Sequence, residues 1–359
     1  MRITLSHTDY ERWRTFATQW NKRNPIPATR AVTYVSDGAT VAARCTNLKY
    51  WLQKPVFAHT DGKGTCVIPV EYTADEPTAE IQQTKQKTTL NGKTIKTDEY
   101  EPFALPLATD SLSPQVRCYR ADLIHTLKFV LPASKKDPND QRIHGIRITT
   151  GNGTLLAEAT DSYRIHQKHM RVKPLWEPSE LVIYATADLV VLLNLLNGTT
   201  VSLGLLNETA YIVTDRNEYI FWQHSLSFPD TARVLPDPAN QSAVLRVSAH
   251  ALRDACKSLG KPKFTAHKKT YFEVDISTNR LVLTCAELEK TVSIQLYSAP
   301  LVKPLRFALD REFILELLSQ LPSHATVDIG VYERDDFALT DWRVVGNETY
   351  YALISGMRP

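Results

Sequence analysis

I-T-L-S-H-T-D-Y-E-R-W (Ile3–Trp13) recurs 114 residues later as R-C-Y-R-A-D-L-I-H-T-L (Arg117–Leu127), and 128 residues after that as L-R-V-S-A-H-A-L-R-D-A (Leu245–Ala255). Each copy is a short alternating segment, a turn of small or polar residues, then apolar residues at helical spacing. The apolar sets are Tyr10, Trp13 and Phe16; Ile124, Leu127 and Val130; and Leu252, Ala255 and Leu259. Each copy therefore predicts a strand running into an amphipathic helix. Solenoid repeats have periods of roughly 20–50 residues, so intervals this long mean duplicated domains. Three similar domains in one chain favour architecture over catalysis.

A second shared segment is a hairpin. V-S-D-G-A-T-V-A-A-R-C-T-N (Val35–Asn47) matches T-T-G-N-G-T-L-L-A-E-A-T-D (Thr149–Asp161), and I-S-T-N-R-L-V-L-T-C-A-E (Ile276–Glu287) echoes both. Asp37-Gly38 and Asn152-Gly153 stand where a tight turn needs positive φ. A second helix is predicted twice, over Ala187–Leu196 and Arg311–Leu321, with Thr186 and Asp310 as N-caps. Each full domain then reads β-α-β-β-β-α-β-β-β, an α+β unit of two helices on a mainly antiparallel sheet. In the first domain too few residues separate Tyr72 from Pro77 for the second helix, and the polar stretch Thr78–Glu99 reads as a solvated hairpin turning at Asn91-Gly92. Proline and polar clusters at Asp110–Pro114 and Pro236–Gln241 set the boundaries: residues 1–114, 115–240 and 241–359.

Composition fits this division. The 359 residues allow three units large enough to bury their own cores. Met1–Asn21 has charges throughout and no apolar signal region, and no run approaches the ~18 apolar residues of a membrane span. Five scattered cysteines (Cys45, Cys66, Cys118, Cys256, Cys285) without a C-x-x-C pair read as buried thiols of a reducing compartment. A net charge of +3 is too mild to identify a nucleic-acid partner on its own.

Four patches carry a resemblance. A-T-D-S-Y-R-I (Ala159–Ile165), F-P-D-T-A-R-V-L-P (Phe228–Pro236), the ending Y-Y-A-L-I-S-G-M-R-P and N-P-I-P (Asn24–Pro27) are similar, in the correct order, to segments of the bacterial DNA sliding clamps. The family is the beta subunit of DNA polymerase III, and this chain resembles a divergent member of it. The resemblance implies the DNA clamp fold and a head-to-tail homodimer that makes a six-domain ring around duplex DNA. It also implies a non-catalytic processivity role without a cofactor, tethering the polymerase. Such a ring would attract phosphates without reading bases. The location implied is the bacterial cytoplasm, at the nucleoid, with a host, phage or plasmid gene all open.

The same resemblance assigns sites. First helices and the turns after them carry Arg12, Arg14, Lys22 and Arg23, then His125, Lys128, Lys135 and Lys136, then Arg253, Lys257, Lys261 and Lys263. The second helices lack this basic character. The DNA contacts implied are Arg23, Lys135, Lys136, Gln141 and Arg142, the last two standing where the family carries aromatic residues. A groove for short peptides of the polymerase, clamp loader and repair proteins is implied at Ile143, Thr160, Ser162, Tyr163, Arg164, Ile165, Pro236, Val244, Leu353, Ser355, Met357 and Arg358. Ser162-Tyr163 replaces Gly-His and Ser355-Gly356 replaces Met-Pro, so the peptides accepted are expected to differ. Phe103 and Leu105, in the last strand of the first domain, and Leu259 are the implied dimer contacts, or else domain core.

Two other readings compete. Asp161, His166 and His169 fall within nine residues and suggest a metal enzyme. On an alternating strand, however, Asp161 and His169 share one face and His166 points to the other, so too few ligands converge. The sequence has no phosphate-loop, dinucleotide or nucleophile-elbow motif either. A clamp-like monomer that binds peptides without encircling DNA is the remaining alternative, prompted by the reduced first domain.

Overall fold

The structure is a computed structural model and describes residues 1–21, 26–85, 87–134, 145–175, 181–224, 228–260, 269–275, 278–285, 288–298, 305–334 and 337–356. Five α-helices stand among the described residues: α1 His7–Trp20, α2 Arg120–Val130, α3 Ala187–Leu195, α4 Ala249–Ser258 and α5 Arg311–Ser319. Their starts are written in the sequence. The hydroxyls of Ser6 and Ser248 accept the amides of Asp9 (3.1 Å) and Ala251 (3.3 Å), and the Asp310 carboxylate accepts that of Glu312 (2.8 Å). Each cap satisfies a helix-end donor that has no partner within its helix.

The chain forms two compact units, one of residues 1–121, 173–183 and 191–225, the other of residues 122–172, 184–190 and 226–359. In the first unit a nine-stranded sheet runs in the order Lys173–Pro174, Val116–Tyr119, Thr200–Leu206, Thr209–Thr214, Tyr219–Gln223, Tyr50–Val56, Val41–Thr46, Ala31–Asp37, Lys63–Pro69. A five-stranded sheet runs Ala58–Asp61, Arg2–Ser6, Thr78–Gln83, Thr88–Leu90, Lys93–Ile95. In the second unit the large sheet contains Ile146–Gly151, Thr154–Thr160, Arg164–Arg171, Asn347–Ser355, Ala338–Val344, Thr326–Glu333 and Ala243–Ser248, neighbours in that order. A four-stranded sheet runs Lys290–Gln295, Arg280–Cys285, Lys269–Asp275, Arg306–Asp310.

The units cut across the repeats because the sheets do. Tyr50–Val56 of the first repeat pairs antiparallel with Tyr219–Gln223 of the second, and Arg164–Arg171 of the second pairs with Asn347–Ser355 of the third. Both seams are dry. At the first, Tyr50 stacks on Trp222 (centroids 5.8 Å apart), and Lys54 makes a buried ion pair with Glu218 (3.0 Å) and donates to the Leu195 carbonyl (2.8 Å).

Turn chemistry agrees with the sequence. Asn91-Gly92 (φ 49° and 74°) and Asn152-Gly153 (φ 51° and 70°) both take the two positive φ values of a tight hairpin turn. Three expectations need correction. Each full repeat has a further strand, Leu181–Ala185 or Arg306–Asp310, leading into its second helix, and the second repeat has the two-residue strand Lys173–Pro174 besides. The first repeat does lack that helix, but Thr78–Ile95 is solvated on one face only. Its strands extend the sheet from Arg2–Ser6 and bury Ala79, Ile81, Leu90 and Ile95. Phe103 and Leu105 lie in irregular backbone rather than a strand, flanked by Pro102 and Pro106, which have no amide hydrogen to give to a ladder. All five cysteines are buried as thiols, and burial pushes Cys66 and Cys256 up to about 12. No helix among the described residues is long and apolar enough to cross a membrane.

Candidate functional site

A groove in the second unit begins at the turn A-T-D-S-Y-R-I. Ser162 takes φ 76°, a left-handed conformation costing a non-glycine residue roughly 1–2 kcal/mol, and its neighbours hold it there. Thr160 Oγ1 donates to the Arg164 carbonyl (2.8 Å) and accepts the Ser162 amide (3.2 Å). Asp161 accepts the amides of Tyr163 (3.1 Å) and Arg164 (3.0 Å) and the Arg164 Nε–H (2.9 Å). The buried Arg164 guanidinium also donates to the Pro132 carbonyl (2.5 Å), pairs with Glu316 on α5 (2.7 Å) and lies 4.1 Å over the Phe313 ring. The turn so anchored leaves Tyr163 projecting at the rim, 66 % exposed.

The second wall is Pro229–Leu235. Buried Glu158 fastens it, accepting from Thr231 Oγ1 (3.1 Å) and Gln167 Nε2 (3.0 Å) and pairing with Arg147, whose guanidinium lies 4.9 Å over Phe228. The third wall is Arg334, Phe337, Leu339, Leu353 and Ser355. Leu353 stands opposite Ile165 in the ladder, both 4 % exposed. The Ser355 amide donates to the Tyr163 carbonyl (2.8 Å) and that of Gly356 to the Ala338 carbonyl (2.7 Å). A Cβ at position 356 would stand 2.4 Å from that oxygen, so only glycine allows this approach. The three walls enclose about 690 Å³. An apolar floor with a rim of arginine, hydroxyl and tyrosine groups suits an extended peptide with apolar side chains.

Seven expected groove residues meet here: Thr160, Ser162, Tyr163, Arg164, Ile165, Leu353 and Ser355. Pro236 and Val244 do not line it. Pro236 lies just past the second wall, and Val244 stands opposite Gly330 on a strand three places from Asn347–Ser355. Ile143, Met357 and Arg358 lie outside the described residues, as do Arg23, Lys135, Lys136, Gln141 and Arg142. The sequence reading missed Pro229, Asp230, Thr231, Arg233, Val234, Leu235, Arg334, Phe337 and Leu339. The patch F-P-D-T-A-R-V-L-P was a signal for the first six. Nothing local marks the last three.

Of the helix cations, Arg12, Lys128 and Lys257 are exposed, whereas Arg14 pairs with Glu11 (2.6 Å). Phe103 and Leu105 are half-buried. Leu259 is fully buried within its own chain, so it is core and not an exposed contact.

The Asp161–His169 stretch is not a metal cluster in shape. His166 is fully buried, its Nδ1 3.1 Å from the Phe129 carbonyl, while Asp161 is occupied by the turn. Burial, reinforced by Arg164, holds the imidazole neutral with its pKa lowered to about 3. Between that value and its ordinary 6.5 the unfolded chain binds the proton preferentially. Stability is therefore unaffected by this group above pH ~7 and falls as pH drops through 6.5. His166→Asn should show a shallower decline between pH 7 and 5 in urea titrations; an unchanged pH dependence would mean the imidazole charges without cost.

No protein-family profile matches the sequence, and no curated protein does. Solved structures do match over the whole length. The DNA polymerase sliding clamp of Bacillus subtilis superposes with a TM-score of 0.85 at 13% identity, covering 100% of this chain and 99% of that one. The DNA polymerase III beta subunit of Thermotoga maritima gives 0.81 at 15%, covering 100% and 99%. A Pseudomonas aeruginosa sliding clamp bound to griselimycin gives 0.81 at 15%, covering both chains in full. At such low identity the match speaks for architecture, and this chain has the three-domain DNA clamp fold of the bacterial DNA polymerase III beta subunits.

Proposed function

We propose that this protein is a sliding clamp: a homodimeric ring that encircles duplex DNA, tethers the replicative polymerase for processive synthesis and catalyses nothing itself. The observation that carries the reading is the groove, assembled on a full-length clamp fold from three segments remote in sequence. Its domains would be residues 1–114, 115–240 and 241–359. The polymerase, clamp loader and repair proteins would insert short peptides into it in turn. Duplex DNA would be held through phosphates by Arg23, Lys135, Lys136, Gln141 and Arg142, with Arg12, Lys128 and Lys257 exposed on the first helices. Sequence-independent binding that weakens steeply with salt is the expected signature. The protein would work in the bacterial cytoplasm.

Calorimetry with a peptide from the cognate polymerase tests the groove. Phe337→Ala removes a rim aromatic that packs on no other described ring, and should weaken binding ten- to a hundredfold, the ~1–3 kcal/mol of an interface anchor. Undiminished binding would put the partner site elsewhere.

One observation favours a second reading. With Leu259 in the core and Phe103 and Leu105 in irregular backbone, the expected dimer contacts are incomplete, as in a clamp-like monomer. Mass in solution decides: the ring predicts a dimer of 40.6 kDa chains.

A further inference from the structure

Two lysines hold the same place in two repeats. Lys54 and Lys168 are 114 residues apart, the interval relating the first repeat to the second, and each stands on a strand that crosses a repeat boundary. Lys54 has its counter-ion there, Glu218. Across the second boundary the residue opposite Lys168 is Tyr350, which is uncharged. Lys168 Nζ lies 4.0 Å over the Tyr350 ring and 6.0 Å from that of Phe129. No carboxylate among the described residues stands within ion-pair distance of it. A ring face offers an ammonium charge compensation but no acceptor for its three N–H groups.

Lys168 is 5 % exposed, and further donors stand beside it. His125 of α2 is exposed, with Nε2 2.8 Å from the Tyr350 hydroxyl, and Lys128 follows one turn on, also exposed. Burial keeps the Tyr350 phenol protonated and, with Lys168 nearby, lowers the His125 pKa. Of the charged and titratable groups that face Lys168 among the described residues, Asp122 on α2 alone is acidic. His166, two residues along the strand, is neutral. The site therefore sets one partly dehydrated cation, two neutral hydrogen-bonding groups and an exposed second cation on α2 against the single carboxylate of Asp122, a balance that fits a tetrahedral oxyanion.

We propose that Lys168, His125, Tyr350 and Lys128 form a phosphate-binding site that takes one phosphodiester group of duplex DNA. The assignment to DNA rests on the clamp reading above; the phosphate chemistry does not. Because burial lowers Lys168 to about 8, its charge is present at pH 7 and lost as pH rises to 9, while a phosphodiester stays anionic throughout.

Fluorescence anisotropy of the full-length chain with a short duplex tests this. Lys168→Gln should weaken binding and make the slope of log affinity against log salt shallower by about one. Lys168→Arg should restore the slope and, since guanidinium does not titrate, abolish the fall in affinity between pH 7 and 9 attributable to this residue. Rescue by arginine separates the charge from a folding defect, and circular dichroism checks each variant. In a second arm, inorganic phosphate at pH 7 should raise the thermal midpoint of the wild type and of Lys168→Arg but not of Lys168→Gln. Phosphate protection that depends on Lys168 with an unchanged duplex slope would overturn the assignment to DNA and leave a site for free phosphate. Equal slopes with no phosphate effect would remove the site altogether. A wild type that responds to phosphate but binds no duplex would defeat the clamp reading alone.

Discussion

Glu218→Ala is expected to lower the free energy of unfolding by about 3–5 kcal/mol, because it strands a buried ammonium. Glu218 is 2 % exposed and accepts from Lys54 Nζ (3.0 Å), the amides of Asn197 (2.7 Å) and Gly198 (3.0 Å), and Thr214 Oγ1 (3.2 Å). Burial already lowers the Lys54 pKa against the pull of this carboxylate, so without it the lysine has every reason to lose its proton or unfold the seam. Replacing the pair together, Lys54→Met with Glu218→Gln, should recover part of the loss, since no ammonium is left to pair and the glutamine keeps an oxygen acceptor for the Asn197 and Gly198 amides. Urea denaturation measures both. A single-variant loss under ~1 kcal/mol would mean that water reaches the pair as it does on a surface.

The second large effect is expected at Glu158. Glu158→Ala leaves Arg147, Thr231 and Gln167 without their shared acceptor. A stability loss of about 3 kcal/mol is expected from the unpaired charge. The wall Pro229–Leu235 also loses its fastening, so on the proposed reading partner peptides should bind tenfold more weakly or worse. Glu158→Gln keeps an oxygen acceptor for Thr231 and should recover binding more than stability. Calorimetry on folded protein separates the two. Full peptide affinity in Glu158→Ala would show that the wall holds itself in place.

Much of the fold was legible because its signals are local. Asn-Gly turns demand positive φ, Ser and Asp caps stand directly before helical spacing, and the three copies repeat the passage from strand to helix in order. The strands Leu181–Ala185 and Arg306–Asp310 were harder to see, being only five residues long and running straight into a helix whose pattern absorbs them. Thr78–Ile95 misled because its outward threonine, glutamate and glutamine residues outnumber the inward Ala79, Ile81, Leu90 and Ile95. In the groove, Thr160–Ile165 and Leu353–Ser355 were found through resemblance. Arg334, Phe337 and Leu339 were not, because the register of Ala338–Val344 against Asn347–Ser355 brings Leu339 to the wall, and Arg334, whose amide donates to the Phe337 carbonyl (2.8 Å), comes with it. Leu259 shows the reverse error: apolar spacing says that a side chain is buried, not what buries it.

Sheets that run across repeat boundaries also set an order of events during synthesis. Tyr50–Val56 leaves the ribosome long before its neighbour Tyr219–Gln223 has been made. At translation speeds of about 5–20 residues per second that interval is roughly ten to thirty seconds. For that time one side of the strand is an open row of amides and carbonyls, a template for any extended chain nearby. Y-W-L-Q-K-P-V carries Lys54 and Pro55 in this strand, a charge that resists stacking and a residue with no amide to donate. In the nascent chain the same lysine that later lies buried against Glu218 discourages premature pairing, before the carboxylate that will neutralise it has been translated.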